Sequence, residues 1–112
     1  MEKLVRDRIP EIVARDRGEM PTFRVADASE YRELLAEKLR EETLEYLESR
    51  KPEELADILE VIRHLGRAHG LTPGEIEDIR RKKARARGGF EQRIVMNFPE
   101  PETGKTIGDR RA

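Results

Sequence analysis

Between Lys38 and Ile62 the chain reads KLREETLEYLESRKPEELADILEVI, and its apolar positions recur every three or four residues. That rhythm predicts two amphipathic helices joined by a short turn. Ser29 is placed to cap the first, which runs to about Ser49; Pro52 restarts the second, which ends before Gly70. Upstream, Pro10 opens a short helix in DRIPEIVARDR that stops at Gly18. Downstream, Thr72-Pro73-Gly74-Glu75 reads as cap, first helical residue and capping-box glutamate of a fourth helix running to Gly88. The expected fold is all-α, a helical bundle of about four helices. A small two-stranded β-ribbon, 22–26 with 92–97, is an additional expectation from the β-branched and aromatic residues there. Residues 1–98 are read as the helical domain and 99–112, rich in Pro, Gly and charge, as a flexible tail.

Carboxylates interrupt this pattern. At roughly 100° per residue, Tyr31, Leu35, Leu39 and Tyr46 form one stripe of the first long helix. Glu42 falls in the middle of that stripe, with Glu45 and Lys38 along its edge. In the next helix Leu55, Ile58, Ile62 and Leu65 form the stripe; Glu54 falls within it and Asp57 on its edge. A connection as short as Ser-Arg-Lys-Pro makes the two helices antiparallel neighbours. Glu45 and Asp57 then lie at nearly the same level, with Glu42 and Glu54 within a turn or two, so four carboxylates converge. Glu41, Glu48, Glu53 and Glu60 fall on outward faces, although Glu41 abuts the cluster.

Like charges gathered in a partly buried site need either protons or a cation. An all-oxygen set suits a hard divalent ion, Mg²⁺ or its substitute Mn²⁺, and Mg²⁺ typically combines a few carboxylates with substrate phosphates. The chain holds no Cys, which excludes thiolate sites and disulfides. Charged residues make up 42% of it, yet the net charge is −1, so no global field favours nucleic acid or an anionic membrane. Aromatics that would stack bases are scarce. With no apolar run for a membrane span and no signal-peptide pattern, the expected location is cytoplasmic. Basic character is local: in RRKKARARGGF, Lys83 and Arg87 are i,i+4 neighbours and candidate phosphate contacts. His64 and His69 are read as structural, with His64 exposed. The Thr103-Gly104-Lys105-Thr106 string lacks the strand–loop–helix context of a P-loop.

The spacing Glu41-Glu42-x-x-Glu45 followed by Glu54-Leu55-Ala56-Asp57 resembles the EExxE…ExxD signature of the MazG-like all-α nucleotide pyrophosphohydrolases. KLVRDRIP, from Lys3 to Pro10, and Lys83-x-x-x-Arg87-Gly88-Gly89-Phe90 are similar to motifs of a short single-domain branch of that superfamily. The resemblance spans Lys3 to about Val95. It implies hydrolysis of a nucleoside triphosphate between the α- and β-phosphates, giving a monophosphate and pyrophosphate, as nucleotide-pool housekeeping. Phosphoribosyl-ATP is the rival substrate. Carried over by position, Glu42, Glu45, Glu54 and Asp57 would be Mg²⁺ ligands. Glu41 would hold a further metal or assist the attacking water, making Glu41 and Glu42 the catalytic pair. Lys3, Arg6, Lys38, Lys83 and Arg87 would bind substrate. Leu44, Leu47 and Leu59 lie off the two stripes, and packing two hairpins together would bury them; the resemblance implies the same homodimer. A reading of another class is a non-catalytic helical-hairpin interaction module whose acids are surface charge.

Overall fold

The structure, a computed structural model, describes residues 1–99. It is all-α: α1 (Ile9–Arg17), α2 (Ala28–Ser49), α3 (Pro52–Ala68) and α4 (Pro73–Arg87), with no strand among the described residues. The chain divides into two compact units, Met1–Pro73 and Gly74–Ala112. Of the expected tail only Pro99 falls within the described residues. No helix among them is long and apolar enough to cross a membrane.

In the first unit, α2 and α3 pack against each other as a hairpin. The N-cap of α2 is Asp27, whose carboxylate accepts the Glu30 N–H at 2.9 Å. Ser29 is therefore already inside the helix rather than its cap; an aspartate two residues earlier satisfies the first-turn donors and complements the positive helix end. The helix closes on Arg50 in the left-handed region (φ 58°), which donates its N–H to the Tyr46 carbonyl at 2.7 Å. Its guanidinium Nε returns to the Leu47 carbonyl at 2.9 Å. Pro52 then starts α3 with Glu53 and Glu54 in its first turn. Two residues suffice to reverse the chain.

Three side chains in the described residues are buried: Leu35 (3% exposed), Val61 (7%) and Glu42 (7%). The stripe expected on α2 is thus the inward one. On α3 the expectation needs correction, because Leu55 (49%) and Ile62 (36%) are exposed while Val61 is buried. The apolar arc of α3 runs from Val61 through Leu65 and Ile58 to Ile62, Leu55 and Leu59, wider than one partner helix covers. Glu54 and Asp57 lie toward the Val61 side of that arc.

The β-ribbon is absent: neither 22–26 nor 92–97 forms a strand. Isolated two-stranded pairings are marginal in water. Val25 and Val95 stand 88% and 94% exposed, so no apolar face drives one here. In the second unit, α4 ends at Gly88 (φ 84°), whose N–H reaches the Ala84 carbonyl at 2.8 Å.

Candidate functional site

The acids converge on Glu42. Its carboxylate belongs to two groups of potential oxygen ligands, one with Glu54 and Asp57 and one with Glu41 and Glu45; within each group the atoms lie within 4.8 Å of one another. Sequence spacing suggested a single cluster of four. Instead Glu45, exposed, joins the group on α2, and Glu54 and Asp57 reach Glu42 from α3. A helix places i,i+3 and i,i+4 side chains on one face, which accounts for Glu41, Glu42 and Glu45; the hairpin supplies the rest.

Glu42 is the electrostatic centre. Its Oε2 is buried with no hydrogen-bond partner among the described residues, while Oε1 lies 3.4 Å from the Lys38 ammonium. Burial, with the neighbouring Glu45 charge, pushes the Glu42 carboxyl above its ordinary range, against the pull of Lys38. A buried unpaired carboxylate oxygen costs free energy in the folded protein. Donors that are all oxygen, and one of them unsatisfied, fit a hard divalent cation.

Basic residues surround the acids. Lys3 donates to Glu41 Oε1 at 2.7 Å, and Lys38 to its Oε2 at 3.1 Å. The Lys3 hydrogen bond, reinforced by Lys38, holds the Glu41 carboxyl below its ordinary value. Arg6 Nη2 donates to Asp57 Oδ1 at 2.7 Å. The N-terminal segment is in turn fixed to the start of α2 by Arg24, whose guanidinium meets Glu2 at 3.0 Å and Glu30 at 2.6 Å. Three separated stretches of sequence therefore meet at the acids. Sequence reasoning singled out Lys3 and Arg6 without the contacts they make, and it missed Arg24. No spacing rule links residues 3 and 41 or 6 and 57; only the shared acid–base complementarity hinted at it.

Beside the acids lies a cavity of about 380 Å³ between the segment 4–12 and the α2–α3 hairpin. Glu42, Asp57, Lys38 and Arg6 contribute to its wall, as do Tyr31, Leu35 and Val61. Glu60 and His64 also line it, in contact at 2.9 Å through Glu60 Oε2 and His64 Nε2. Both were expected to face outward; they are half-buried instead, because the N-terminal segment covers that side of α3. His69 ends α3 and is exposed.

The structure brings Lys3, Arg6, Lys38, Glu41, Glu42, Glu45, Glu54 and Asp57 together in the first unit. Lys83 and Arg87 lie one turn apart on α4, exposed and without an ion pair among the described residues. Comparison with protein-family models, curated proteins and solved structures finds nothing that matches the chain.

Proposed function

We propose that the protein is a Mg²⁺-dependent nucleotide pyrophosphohydrolase that converts a nucleoside triphosphate to its monophosphate and pyrophosphate. The observation that carries this reading is the buried, unpartnered Glu42 oxygen, held where carboxylates of α2 and α3 meet. Acids of a solvated face have no reason to occupy the position of a core leucine. The oxygen donors of Glu42, Glu54 and Asp57 would hold a divalent ion, and Glu41 and Glu45 a second. When bound, such an ion neutralises phosphate charge and polarises the α-phosphorus.

The chain's own residues carry the remaining steps. Lys3, Arg6 and Lys38 now pair with carboxylates, and an arriving triphosphate would offer those cations further anionic oxygen acceptors. The water oxygen attacks the α-phosphorus as the bond to the bridging α,β-oxygen breaks, and pyrophosphate leaves with the electron pair. Glu41, released as Lys3 turns to the phosphate, would take the water proton as the alternative to holding a second ion.

The homodimer belongs to the same reading. Leu44 (57% exposed), Leu47 (50%) and Leu59 (58%) are exposed in the single chain, and Leu55 adds to them. Burying that surface against a second hairpin is favourable at about 25 cal/mol per Å². A panel of nucleoside triphosphates assayed for pyrophosphate in the presence of Mg²⁺ tests the activity. Pyrophosphate with an equivalent of monophosphate is expected; diphosphate and free phosphate as the only products would overturn it.

A further inference from the structure

We propose that Lys3 and Arg6 are resident counter-ions of the acid cluster, which oppose free Mg²⁺ and are given up to the triphosphate, so that the site fills with the metal–triphosphate complex. The proposal rests on the nucleotide reading and extends it to how the site is loaded. Five carboxylates, Glu41, Glu42, Glu45, Glu54 and Asp57, gather there, and Lys3, Arg6 and Lys38 pair with members of the set. Glu41 has both oxygens engaged, Oε1 by Lys3 at 2.7 Å and Oε2 by Lys38 at 3.1 Å. Asp57 Oδ1 accepts from Arg6 at 2.7 Å. Each group of potential metal ligands thus already carries one cation of the N-terminal segment: Lys3 on Glu41, Glu42 and Glu45, Arg6 on Glu42, Glu54 and Asp57. The hydrogen bond to Glu41, with the charges of Glu41, Glu45 and Glu42, holds the Lys3 ammonium above its ordinary pKa. A metal ion entering either group therefore meets a positive charge that repels it.

Lys38 is fixed on α2 with its side chain only 17% exposed, so it stays with the acids. Lys3 and Arg6 come instead from the non-helical residues 1–8, and their side chains are 56% and 55% exposed. Both border open space. Arg6 lines the cavity beside the acids, and both residues line a second cavity bounded by Pro21–Ala26. The Arg24 contacts to Glu2 and Glu30 keep the segment against α2 while these two side chains move. Exposed ion pairs are weak, so exchanging a carboxylate partner for a phosphate costs little. The planar fork of Arg6 suits two phosphate oxygens at once, and the Lys3 ammonium acts as a point charge. Drawing both cations away from the carboxylates strengthens the hold of the acids on metal. By linkage, metal then strengthens the hold on the triphosphate by the same factor.

The test measures binding of Mg²⁺ alone by calorimetry, and then of Mg²⁺–tripolyphosphate, a probe without a base. The proteins are wild type, Lys3→Met, Arg6→Met and the double variant. Lys3→Arg and Arg6→Lys, which keep the charge, and Arg8→Met, whose ion pair is with Glu11, serve as controls. Because the pairs are exposed, each single variant should bind free Mg²⁺ about threefold tighter and the double variant about tenfold tighter. The same variants should bind Mg²⁺–tripolyphosphate about tenfold more weakly, with the controls within about twofold of wild type on both probes. A role limited to pinning the segment would not move the two affinities in opposite directions. Free Mg²⁺ bound no tighter by the variants, an equal gain in Arg8→Met, or an affinity for the complex that is absent in wild type or undiminished in the variants would overturn the proposal. Mg²⁺ binding that is the same in all the proteins would refute this loading alone. No Mg²⁺ binding to wild type or to any variant would refute the metal site on which it rests.

Discussion

On the inward side of the α2–α3 hairpin, Glu42 is as buried as Val61 and nearly as buried as Leu35; elsewhere on the same helices Leu44, Leu47, Leu55 and Leu59 stand about half exposed. One region buries charge and the other exposes leucine, each against the usual preference. The two departures have different physical meanings. A buried carboxylate with an unpaired oxygen is costly in isolation and is relieved by a proton or by a cation. Exposed leucines cost nothing specific until a second apolar surface arrives, and then they gain from burial. On the proposed reading the inward region would hold an ion and its ligand, and the outward one another polypeptide surface.

The largest expected effect comes from removing the charge on the inward side. Glu42→Gln or Asp57→Asn should lower pyrophosphate release by roughly 10²–10³-fold, the scale of a single electrostatic stabiliser. Circular dichroism should report an unchanged helical content. An active Glu42→Gln variant would erase the distinction between the two regions. On the outward side, Leu47→Glu should halve the mass seen by sedimentation, from a dimer to the 13.0 kDa chain, or unfold it. A wild type that is a stable, active monomer at micromolar concentration would refute the interface.

Smaller effects sharpen the comparison. Lys3→Ala and Arg6→Ala should each raise KM about tenfold, a change of about 1.4 kcal/mol in binding, with little loss of melting temperature since both side chains are more than half exposed. Lys83→Ala and Arg87→Ala should weaken substrate binding more than Mg²⁺ binding, whereas Arg81→Ala should do little; equal losses for all three would make the run a solvated face. The smallest effect is on stability without metal. Glu42 binds its proton more tightly folded than unfolded, so its ionised form disfavours folding once pH exceeds both values. Glu42→Gln should then raise the melting temperature by a few degrees at neutral pH in metal-free buffer. The gain should vanish as pH falls below the ordinary carboxylate range, which thermal scans across pH would show.

Much of this architecture is local and therefore legible. Pro10 and Gly18, Pro52 and Gly70, and Pro73 and Gly88 punctuate the helices where the sequence marks them, because their backbone constraints act within a turn. The acids on α2 and α3 were visible because helical spacing and a two-residue turn fix their faces. What could not be read turns on a close local choice in one case and on contacts between distant residues in the others. Asp27 outcompetes Ser29 as the cap by a choice between adjacent candidates. Leu55 and Ile62 stay exposed because the arc on α3 exceeds one partner's width. Lys3 reaching Glu41, Arg6 reaching Asp57, and the cover that turns Glu60 and His64 into cavity wall all depend on how the N-terminal segment packs.

The central claim is that Glu42 is buried because a cation completes it. The most direct measurement is a Mg²⁺ titration followed by thermal melting, run in parallel on wild type and Glu42→Gln with no nucleotide present. The account predicts that wild type gains stability with rising Mg²⁺, as any ligand that binds the folded state alone requires. Glu42→Gln, already relieved of its buried charge, should begin at a higher melting temperature and gain far less. No stabilisation of wild type, or the same gain in both proteins, would contradict the account.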